Sequence, residues 1–296
     1  MTLLHPNLQG ELRFNEPLAG HTSWRVGGIA QRFYQPKDID DLALFLSQLP
    51  VTEPVMWLGL GSNLLVRDGG FAGTVIAYAG TLQDIAIDGN EVTAEVGVYC
   101  SKIAKQSARA GLAGGAFLAG IPGTFGGALA MNAGAHGSET WQFVKAVTTV
   151  SRSGQLRQRP ASEFEVNYRY VKAPDNEWFV SATLKFASGD AQAEADLIKA
   201  LLRKRNASQP TNQPCAGSVF RNPPGDFAGR LIESAGLKGL RIGGASVSEK
   251  HANFIVNDGS ASAADIESLI SLVQQKVEQQ HGVVMTPEVH IIGEHA

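Results

Sequence analysis

The chain has 296 residues, of which 44% are hydrophobic and 18% charged, and its formal net charge is −3. This composition is typical of a globular protein large enough for two or three subdomains, and it lacks the basic excess of a nucleic-acid-binding protein. The apolar runs are too short for a transmembrane helix, and residues 1–6 lack the basic and apolar regions of a secretion signal. We therefore expect a cytoplasmic protein with no nucleic-acid, membrane or obligate protein partner.

The cysteines and histidines do not form a metal-binding pattern. The two cysteines, Cys100 and Cys215, lie far apart in sequence, and none of the seven histidines has the spacing of a metal motif. We expect two reduced thiols and no metal site. His251 is expected to be structural or to line a substrate site.

Apolar periodicity predicts alternating strands and helices in the first two thirds of the chain. Strands are predicted at residues 55–58, 74–78, 91–96, 144–150 and 179–186. Asp38 can cap a helix that Pro50 ends. Ser101 can cap a second helix that ends at Gly111, and a third helix is predicted around residues 191–206.

A polar segment with two prolines, residues 206–215, predicts a linker to a smaller α+β unit. Strands are predicted near residues 218–221, 253–257 and 288–292, and a short helix at residues 226–235. A long amphipathic helix follows, with Ser262 and Asp265 resembling a capping box at its start and Gly282 at its end. These boundaries divide the chain into residues 1–80, 81–206 and 207–296.

Glycine accounts for 33 of the 296 residues, about 11% against an average near 7%. Residues 120–134 contain five of these glycines and no charged side chain. Such a backbone allows close approach of a flat or anionic group, which favours a nucleotide cofactor. A tightly packed helix start is the alternative.

A second glycine-rich loop, residues 59–63, follows the strand predicted at residues 55–58. It lacks the third glycine of a Rossmann fingerprint, and the chain contains no Walker A sequence. The loop alone is a weak signal. Together with residues 120–134 it forms a pair of loops suited to a dinucleotide.

Three side chains outside these loops are candidates for chemistry. Arg169 lies between two tyrosines and can bind a carboxylate or a developing enolate, or can be a solvated strand residue. Ser218 follows a glycine and can donate a proton, or its hydroxyl can bond local backbone. Glu288 begins a predicted strand. Either the protein shifts the pKa of its carboxylate for a functional role, or the carboxylate is solvated. No nucleophile elbow accompanies Ser218, so a hydrolase is poorly supported.

The ordered set of these motifs resembles the UDP-N-acetylenolpyruvoylglucosamine reductase family, also called UDP-N-acetylmuramate dehydrogenases. The resemblance rests on residues 21–28, 59–66, 120–134, 168–169, 217–223, 228–239, 243–257 and Glu288. It implies an α+β fold, namely the FAD-binding fold of the vanillyl-alcohol oxidase and p-cresol methylhydroxylase type. In that fold residues 1–80 and 81–206 are two FAD-binding subdomains, and residues 207–296 are a substrate-binding domain. No tyrosine-bearing insertion is apparent in the C-terminal part, which indicates the shorter subtype.

The resemblance also implies a reaction. NADPH reduces FAD, and FADH2 reduces the enolpyruvyl ether of UDP-N-acetylglucosamine to UDP-N-acetylmuramate, a step of peptidoglycan synthesis. We expect noncovalent FAD, because residues 120–134 contain no histidine. An FAD-dependent sugar or hydroxy-acid oxidase on the same fold is the alternative enzyme, and a catalytically silent flavin- or nucleotide-binding module is the alternative outside enzymes.

Individual residues take expected roles from this resemblance and from the two loops. Arg169, Ser218 and Glu288 match the catalytic positions, with Ser218 as proton donor. Tyr168, Arg221 and Asn222 are expected to bind the substrate. The expected FAD contacts are Gly59, Leu60, Gly61, Ser62, Asn63, Gly120, Ile121, Pro122, Gly123, Thr124, Gly126, Gly127, Asn132 and Ala133.

Overall fold

The computed structural model describes residues 7–296, so residues 1–6, which were expected not to form a secretion signal, lie outside the described residues. These residues form the helices α1 (Ile39–Gln48), α2 (Cys100–Arg109), α3 (Phe125–Ala130), α4 (Ala191–Ser208), α5 (Ala228–Ser234) and α6 (Ala263–His281). Short 3-10 helices lie at Leu18–His21, Ala116–Gly120, Thr140–Gln142 and Ala161–Glu163.

The strands are β1 (Glu11–Pro17), β2 (Ile29–Gln35), β3 (Val55–Leu58), β4 (Leu64–Val66), β5 (Phe71–Ala77), β6 (Ile85–Asp88), β7 (Glu91–Glu95), β8 (Leu112–Ala113), β9 (Gly134–Ala135), β10 (Ser138–Glu139), β11 (Val144–Ser151), β12 (Leu156–Pro160), β13 (Glu165–Asn167), β14 (Tyr170–Lys172), β15 (Glu177–Lys185), β16 (Ala187–Ser188), β17 (Arg241–Ile242), β18 (Ala245–Val247), β19 (Ile255–Asn257) and β20 (His290–Ile292). A four-stranded sheet has the order β1-β2-β5-β3. No helix of residues 7–296 has the length and apolar content needed to cross a membrane.

Residues 7–13, 34–59 and 75–204 belong to the first of two compact units. Its main sheet has the order β12-β11-β15-β7-β6, and every neighbouring pair is antiparallel. The core of this unit takes Leu42, Phe45 and Leu46 from α1 and Phe125 and Leu129 from α3. The buried face of α1 therefore matches the apolar spacing of its sequence.

The second unit comprises residues 14–33, 60–74 and 205–296. It contains the antiparallel sheet β17-β18-β19 and the parallel pair β20-β4. Helix α6 buries the face predicted from its sequence, formed by Ile266, Leu269, Ile270, Val273 and Val277. The division into three functional domains stays a prediction.

Local signals located several helix ends correctly. Asp38 accepts a hydrogen bond from the Asp41 N–H at the start of α1, and Ser262 and Asp265 form the predicted capping box of α6. Gly282 ends α6 in the left-handed conformation, with φ of 67°. The five strands predicted in the first two thirds are all present as β3, β5, β7, β11 and β15.

Other local predictions were wrong. Helix α2 begins one residue before Ser101, and its N-cap is Tyr99, whose carbonyl accepts the N–H groups of Lys102 and Ile103. Helix α4 extends through Ser208, so the first residues of the predicted linker are helical.

The segment around Ser218 is not a strand, and only Phe220 forms an isolated bridge, with Pro287. Strand β20 begins at His290, so Glu288 lies before it. Residues 218–221 make separate backbone hydrogen bonds in place of a ladder, whereas residues 290–292 form a parallel ladder with β4.

Candidate active site

Residues 120–134 enter helix α3 through a turn that is held by backbone hydrogen bonds. The N–H of Phe125 donates to the Val98 carbonyl, and that of Gly126 donates to the Val96 carbonyl. A Cβ on Gly126 would lie 2.8 Å from Val96 Cβ and 2.9 Å from the Tyr78 hydroxyl. Close packing therefore explains this glycine, and its role as an FAD contact stays a prediction.

The other loop reaches the same turn at Gly59, where a Cβ would overlap Thr124 Oγ1. Thr124 is 1% exposed, and its hydroxyl lies beside that of Tyr78. A hydrogen bond between these two side chains opposes part of the rise that burial causes in the pKa of Tyr78. Close packing against Thr124 therefore explains this glycine, and the FAD contacts of Gly59 and Thr124 stay predictions.

Ser62 and Asn63 connect the loop to the two segments that carry Ser218 and Glu288. The Gly217 N–H donates to the Ser62 carbonyl at 3.0 Å. The Asn63 side chain donates to the Glu288 carbonyl at 3.0 Å, and the Asn63 carbonyl accepts the His290 N–H at 3.0 Å. The expected FAD-binding residues Ser62 and Asn63 thus also hold the backbone of the candidate catalytic residues.

The backbone around Ser218 is fixed on both sides, whereas its hydroxyl makes no hydrogen bond within residues 7–296. The Val219 N–H donates to the Asn253 carbonyl at 2.9 Å, and the Val219 carbonyl accepts the Glu288 N–H at 2.7 Å. Asn253 also accepts the Phe220 N–H and donates to the Phe220 carbonyl through its side chain. The alternative of a hydroxyl bonded to local backbone is therefore not what the structure shows.

Arg169 lies in the two-residue connection of the β13-β14 hairpin, where Asn167 pairs with Tyr170. Its φ is 55°, a left-handed conformation that costs a non-glycine residue about 1–2 kcal/mol. Its guanidinium donates to the Gly134 carbonyl at 3.2 Å and to the Asn132 carbonyl at 3.4 Å. Strain at a position usually occupied by glycine or asparagine is a mark of functional sites.

The end of the glycine-rich segment is braced by Asn132, which is buried and left-handed with φ of 45°. Its Nδ2 donates to Glu139 Oε2 at 2.9 Å, and its Oδ1 accepts the Trp141 N–H at 3.0 Å. Glu139 Oε1 lies 4.0 Å from Arg169 Nη1. The side chain of Asn132 is thus bound to protein, and its FAD contact stays a prediction.

The three expected substrate-binding residues occupy different settings. Tyr168 is 46% exposed, with the Arg169 guanidinium 5.0 Å from its ring centre. Asn222 is exposed and accepts the Ala228 N–H at 3.0 Å. The Arg221 N–H donates to the Thr286 carbonyl at 2.9 Å.

The candidate residues thus form two groups. Ser218 and Glu288 come together through Val219 in the second unit, and Arg169 lies with residues 132–134 in the first unit. Asn253 and Glu139 are site residues that the sequence did not reveal, although Asn253 lies within the motif at residues 243–257 and Glu139 follows the glycine-rich segment. In the described part of the chain, no three histidine, cysteine or acidic side chains are grouped to hold a metal.

Comparison with known proteins identifies the family. Residues 209–292 match the model "UDP-N-acetylenolpyruvoylglucosamine reductase, C-terminal domain", and residues 30–158 match the model "FAD binding domain". The chain is 59% identical over 288 residues to the UDP-N-acetylenolpyruvoylglucosamine reductase of Legionella pneumophila (strain Corby), covering 97% of this chain and 94% of that protein. The reductase of Alkalilimnicola ehrlichii is 58% identical, with 96% of each chain covered.

A solved structure gives the same result. The crystal structure of UDP-N-acetylenolpyruvylglucosamine reductase from Thermus caldophilus matches with a TM-score of 0.83 and 31% identity. The match covers 96% of this chain and 99% of that chain. The expected α+β fold with its FAD-binding domain is confirmed. The chain belongs to the UDP-N-acetylenolpyruvoylglucosamine reductase family.

Proposed function

We propose that this chain uses NADPH and FAD to reduce the enolpyruvyl ether of UDP-N-acetylglucosamine to UDP-N-acetylmuramate, a precursor of peptidoglycan. The observation that carries this proposal is the 59% identity to a reductase of that name over 97% of the chain. The chain is accordingly an FAD-dependent oxidoreductase that acts on a small molecule. Because NADPH and nucleotide sugars are made inside the cell, we place it in the cytoplasm.

FAD would be held by the residues of the two glycine-rich loops, with Gly59 and Thr124 forming the point of closest approach. Both loops lie within residues 30–158, which match the FAD-binding-domain model, and residues 120–134 contain no charged side chain; these observations support this placement. When bound, FAD supplies two-electron chemistry, since it accepts hydride from NADPH and delivers hydride to the enolpyruvyl carbon. The Thr124 hydroxyl would donate to or accept from the cofactor.

Arg169 binds the substrate carboxylate in this proposal. Hydride addition to C3 of the enolpyruvyl group leaves negative charge at C2, which spreads into the carboxylate as an enolate. A planar guanidinium stabilises that charge through two parallel N–H donors. Two observations support this role: the left-handed backbone of Arg169 and its hydrogen bonds to the Asn132 and Gly134 carbonyls. Together they fix the orientation of a part-buried cation at a hairpin turn.

Ser218 donates the proton that C2 requires. A hydroxyl is a weak acid, so its geometry relative to the enolate must be fixed for the transfer to be efficient. The hydrogen bonds of Gly217, Val219 and Phe220 supply this fixation and leave the hydroxyl unpartnered within the described chain. The resulting alkoxide recovers its proton from water after the product forms.

Glu288 acts beside Ser218. Its N–H donates to the Val219 carbonyl, which ties the two residues through one intervening peptide. From this position the carboxylate orients a donor or shares a proton with the substrate carboxylate. Tyr168, Arg221 and Asn222 are proposed to bind the rest of the substrate.

A steady-state assay tests the proposal. Purified protein should retain FAD and should oxidise NADPH rapidly only when the enolpyruvyl substrate is present. NADPH consumption that is equally fast without this substrate would contradict the reductase and leave the FAD-dependent oxidase as the better alternative. A protein that takes up no FAD would exclude both enzymes.

A further inference from the structure

The guanidinium of Arg169 donates hydrogen bonds to two neutral backbone carbonyls. Its hydrogen bonds to the Gly134 and Asn132 carbonyls measure 3.2 and 3.4 Å, at or beyond the long end of the usual N–H···O range. Its side chain is only 16% exposed. A cation with so little access to water requires a nearby negative charge to keep its desolvation from displacing it.

Glu139 supplies that charge without a direct hydrogen bond to the guanidinium. Its Oε1 lies 4.0 Å from Arg169 Nη1, close enough for electrostatic attraction but too far for a direct hydrogen bond. The N–H groups of Arg169 therefore are not consumed by this carboxylate.

The carboxylate of Glu139 is itself fixed from several directions. Its Oε2 accepts from Asn132 Nδ2 at 2.9 Å, and its side chain and backbone form a capping box with Gln142. Its backbone pairs with Gly134 across β9 and β10. The same two residues, Asn132 and Gly134, offer the carbonyls that bind Arg169, so one small network locates both charges.

We infer that Glu139 is a positioning residue, which holds the guanidinium of Arg169 on the carbonyls of Asn132 and Gly134 in the orientation that receives the substrate carboxylate. This inference rests on the proposed function, because the role of Arg169 belongs to it. Removal of the Glu139 charge should loosen the orientation of the guanidinium but should not weaken its attraction for an anion. The effect should therefore appear in kcat and not as an increase in KM.

The test compares Glu139→Gln with Glu165→Gln in the FAD-loaded protein. Glu165 is an exposed residue of the hairpin that carries Arg169, so its variant controls for loss of one negative charge. For Glu139→Gln we expect kcat to fall about tenfold, as for other residues that orient a functional group through one intermediate. KM for the enolpyruvyl substrate should not rise, and the rate at which NADPH bleaches the flavin should stay unchanged. Glu139→Asp, which keeps the charge, should recover part of the loss.

A double-mutant cycle with Arg169→Ala separates positioning from folding. If Glu139 acts through Arg169, Glu139→Gln causes no further loss in the Arg169→Ala background. An equal fold-loss in both backgrounds, or slower bleaching by NADPH, would overturn the inference. If Arg169→Ala alone leaves substrate reduction unchanged, the proposed role of Arg169 fails, which is a different outcome from failure of the cycle.

Discussion

The side chain of Asn253 is paired with the backbone of Phe220 through both of its polar atoms. Asn253 Oδ1 accepts the Phe220 N–H at 2.9 Å, and Asn253 Nδ2 donates to the Phe220 carbonyl at 2.8 Å. Asn253 is 3% exposed, so neither Phe220 group has ready access to water as a substitute partner. One amide side chain thus satisfies both polar backbone groups of Phe220.

This pairing predicts that Asn253→Asp lowers both stability and substrate reduction. The carboxylate cannot donate to the Phe220 carbonyl, and an unsatisfied buried group costs about 1–3 kcal/mol. The shift of Phe220 should displace Ser218 and slow substrate reduction more than it slows flavin reduction by NADPH. Denaturant unfolding and separate measurement of the two half-reactions test this.

The matched control for that variant is Asn257→Asp. Asn257 is equally buried, and its Nδ2 donates to the Trp24 carbonyl at 2.8 Å, away from the residues on either side of Ser218. It should lose similar stability and keep its kcat well below the unfolding temperature. Equal losses of kcat in the two variants would show that Asn253 acts only through folding.

Ser218→Ala should slow substrate reduction without lowering the free energy of unfolding. Its hydroxyl makes no hydrogen bond within the described residues, so the methyl group leaves no protein partner unsatisfied. We expect the free energy of unfolding to stay within about 0.5 kcal/mol of the parent, because no mechanism for a large loss is present. Substrate reduction should fall about 10²–10⁴-fold, the usual contribution of a positioned proton donor.

Stopped-flow measurement of the flavin colour distinguishes the half-reactions for this variant. Bleaching by NADPH should remain nearly at the parent rate, while return of colour on addition of substrate should slow. Equal slowing of both would indicate that Ser218 serves flavin placement or folding. Ser271→Ala is a suitable control, because Ser271 is an exposed residue of α6.

Arg169→Gly should separate stability from activity in another way. Glycine relieves the left-handed strain of about 1–2 kcal/mol, which offsets part of the stability lost with the guanidinium, including its hydrogen bonds to the Asn132 and Gly134 carbonyls. The free energy of unfolding should therefore change by less than about 1 kcal/mol, whereas substrate reduction should fall at least about 100-fold. A large loss of stability would mean that the guanidinium is a structural brace. Asn176→Gly, at φ of 57° in the same unit, controls for the backbone change.

Sequence patterns predicted what depends on neighbouring residues. The apolar face of α6 and its capping box follow from spacings of three or four residues, and both are observed. The segment at Ser218 was expected to form a strand because Val219 and Phe220 are apolar and suited to extended structure. The backbone of Phe220 is instead bonded to a side chain 33 residues later in the chain, which no local pattern encodes.

The same limit applies to the environment of Arg169. A position between two tyrosines is equally compatible with a solvated residue and with a buried cation. The distinction depends on Glu139 and on the carbonyls of Asn132 and Gly134, which are distant in sequence and meet Arg169 only through the hairpin. Gly126 is the opposite case. Its sequence context suggested a cofactor contact, whereas the structure shows that a Cβ at this position would overlap Val96 and Tyr78.

Acid stability should depend on Glu177, a buried carboxylate of β15. Arg159 donates to it at 2.7 and 2.8 Å and holds the pKa of the carboxyl below its usual range, with Thr149 adding a further hydrogen bond. Because the pKa is lowered on folding, the stabilisation is complete above the ordinary carboxyl pKa and is lost as pH falls through the lowered value.

Glu177→Gln should therefore flatten the decline in unfolding free energy on the acid side. At pH 7 the variant should lose about 2–4 kcal/mol, because Arg159 and Thr149 keep only a neutral partner. Denaturant unfolding across the acid range gives both quantities. An unchanged slope of stability against pH would show that Glu177 does not carry the acid sensitivity.

Gly59→Ala should disturb the contact between the two glycine-rich loops. Its Cβ would overlap Thr124 Oγ1, and such overpacking costs about 1–3 kcal/mol. We expect lower stability of the FAD-free protein and a reduced FAD content after purification. Gly20→Ala is the control, because nothing lies within 4 Å of a Cβ at Gly20. Thr124→Ala in the Gly59→Ala chain removes the overlapping oxygen and should restore the stability of the FAD-free protein. FAD content should stay low in that double variant, because the hydroxyl proposed to contact the cofactor is gone, and full recovery of FAD binding would contradict that contact.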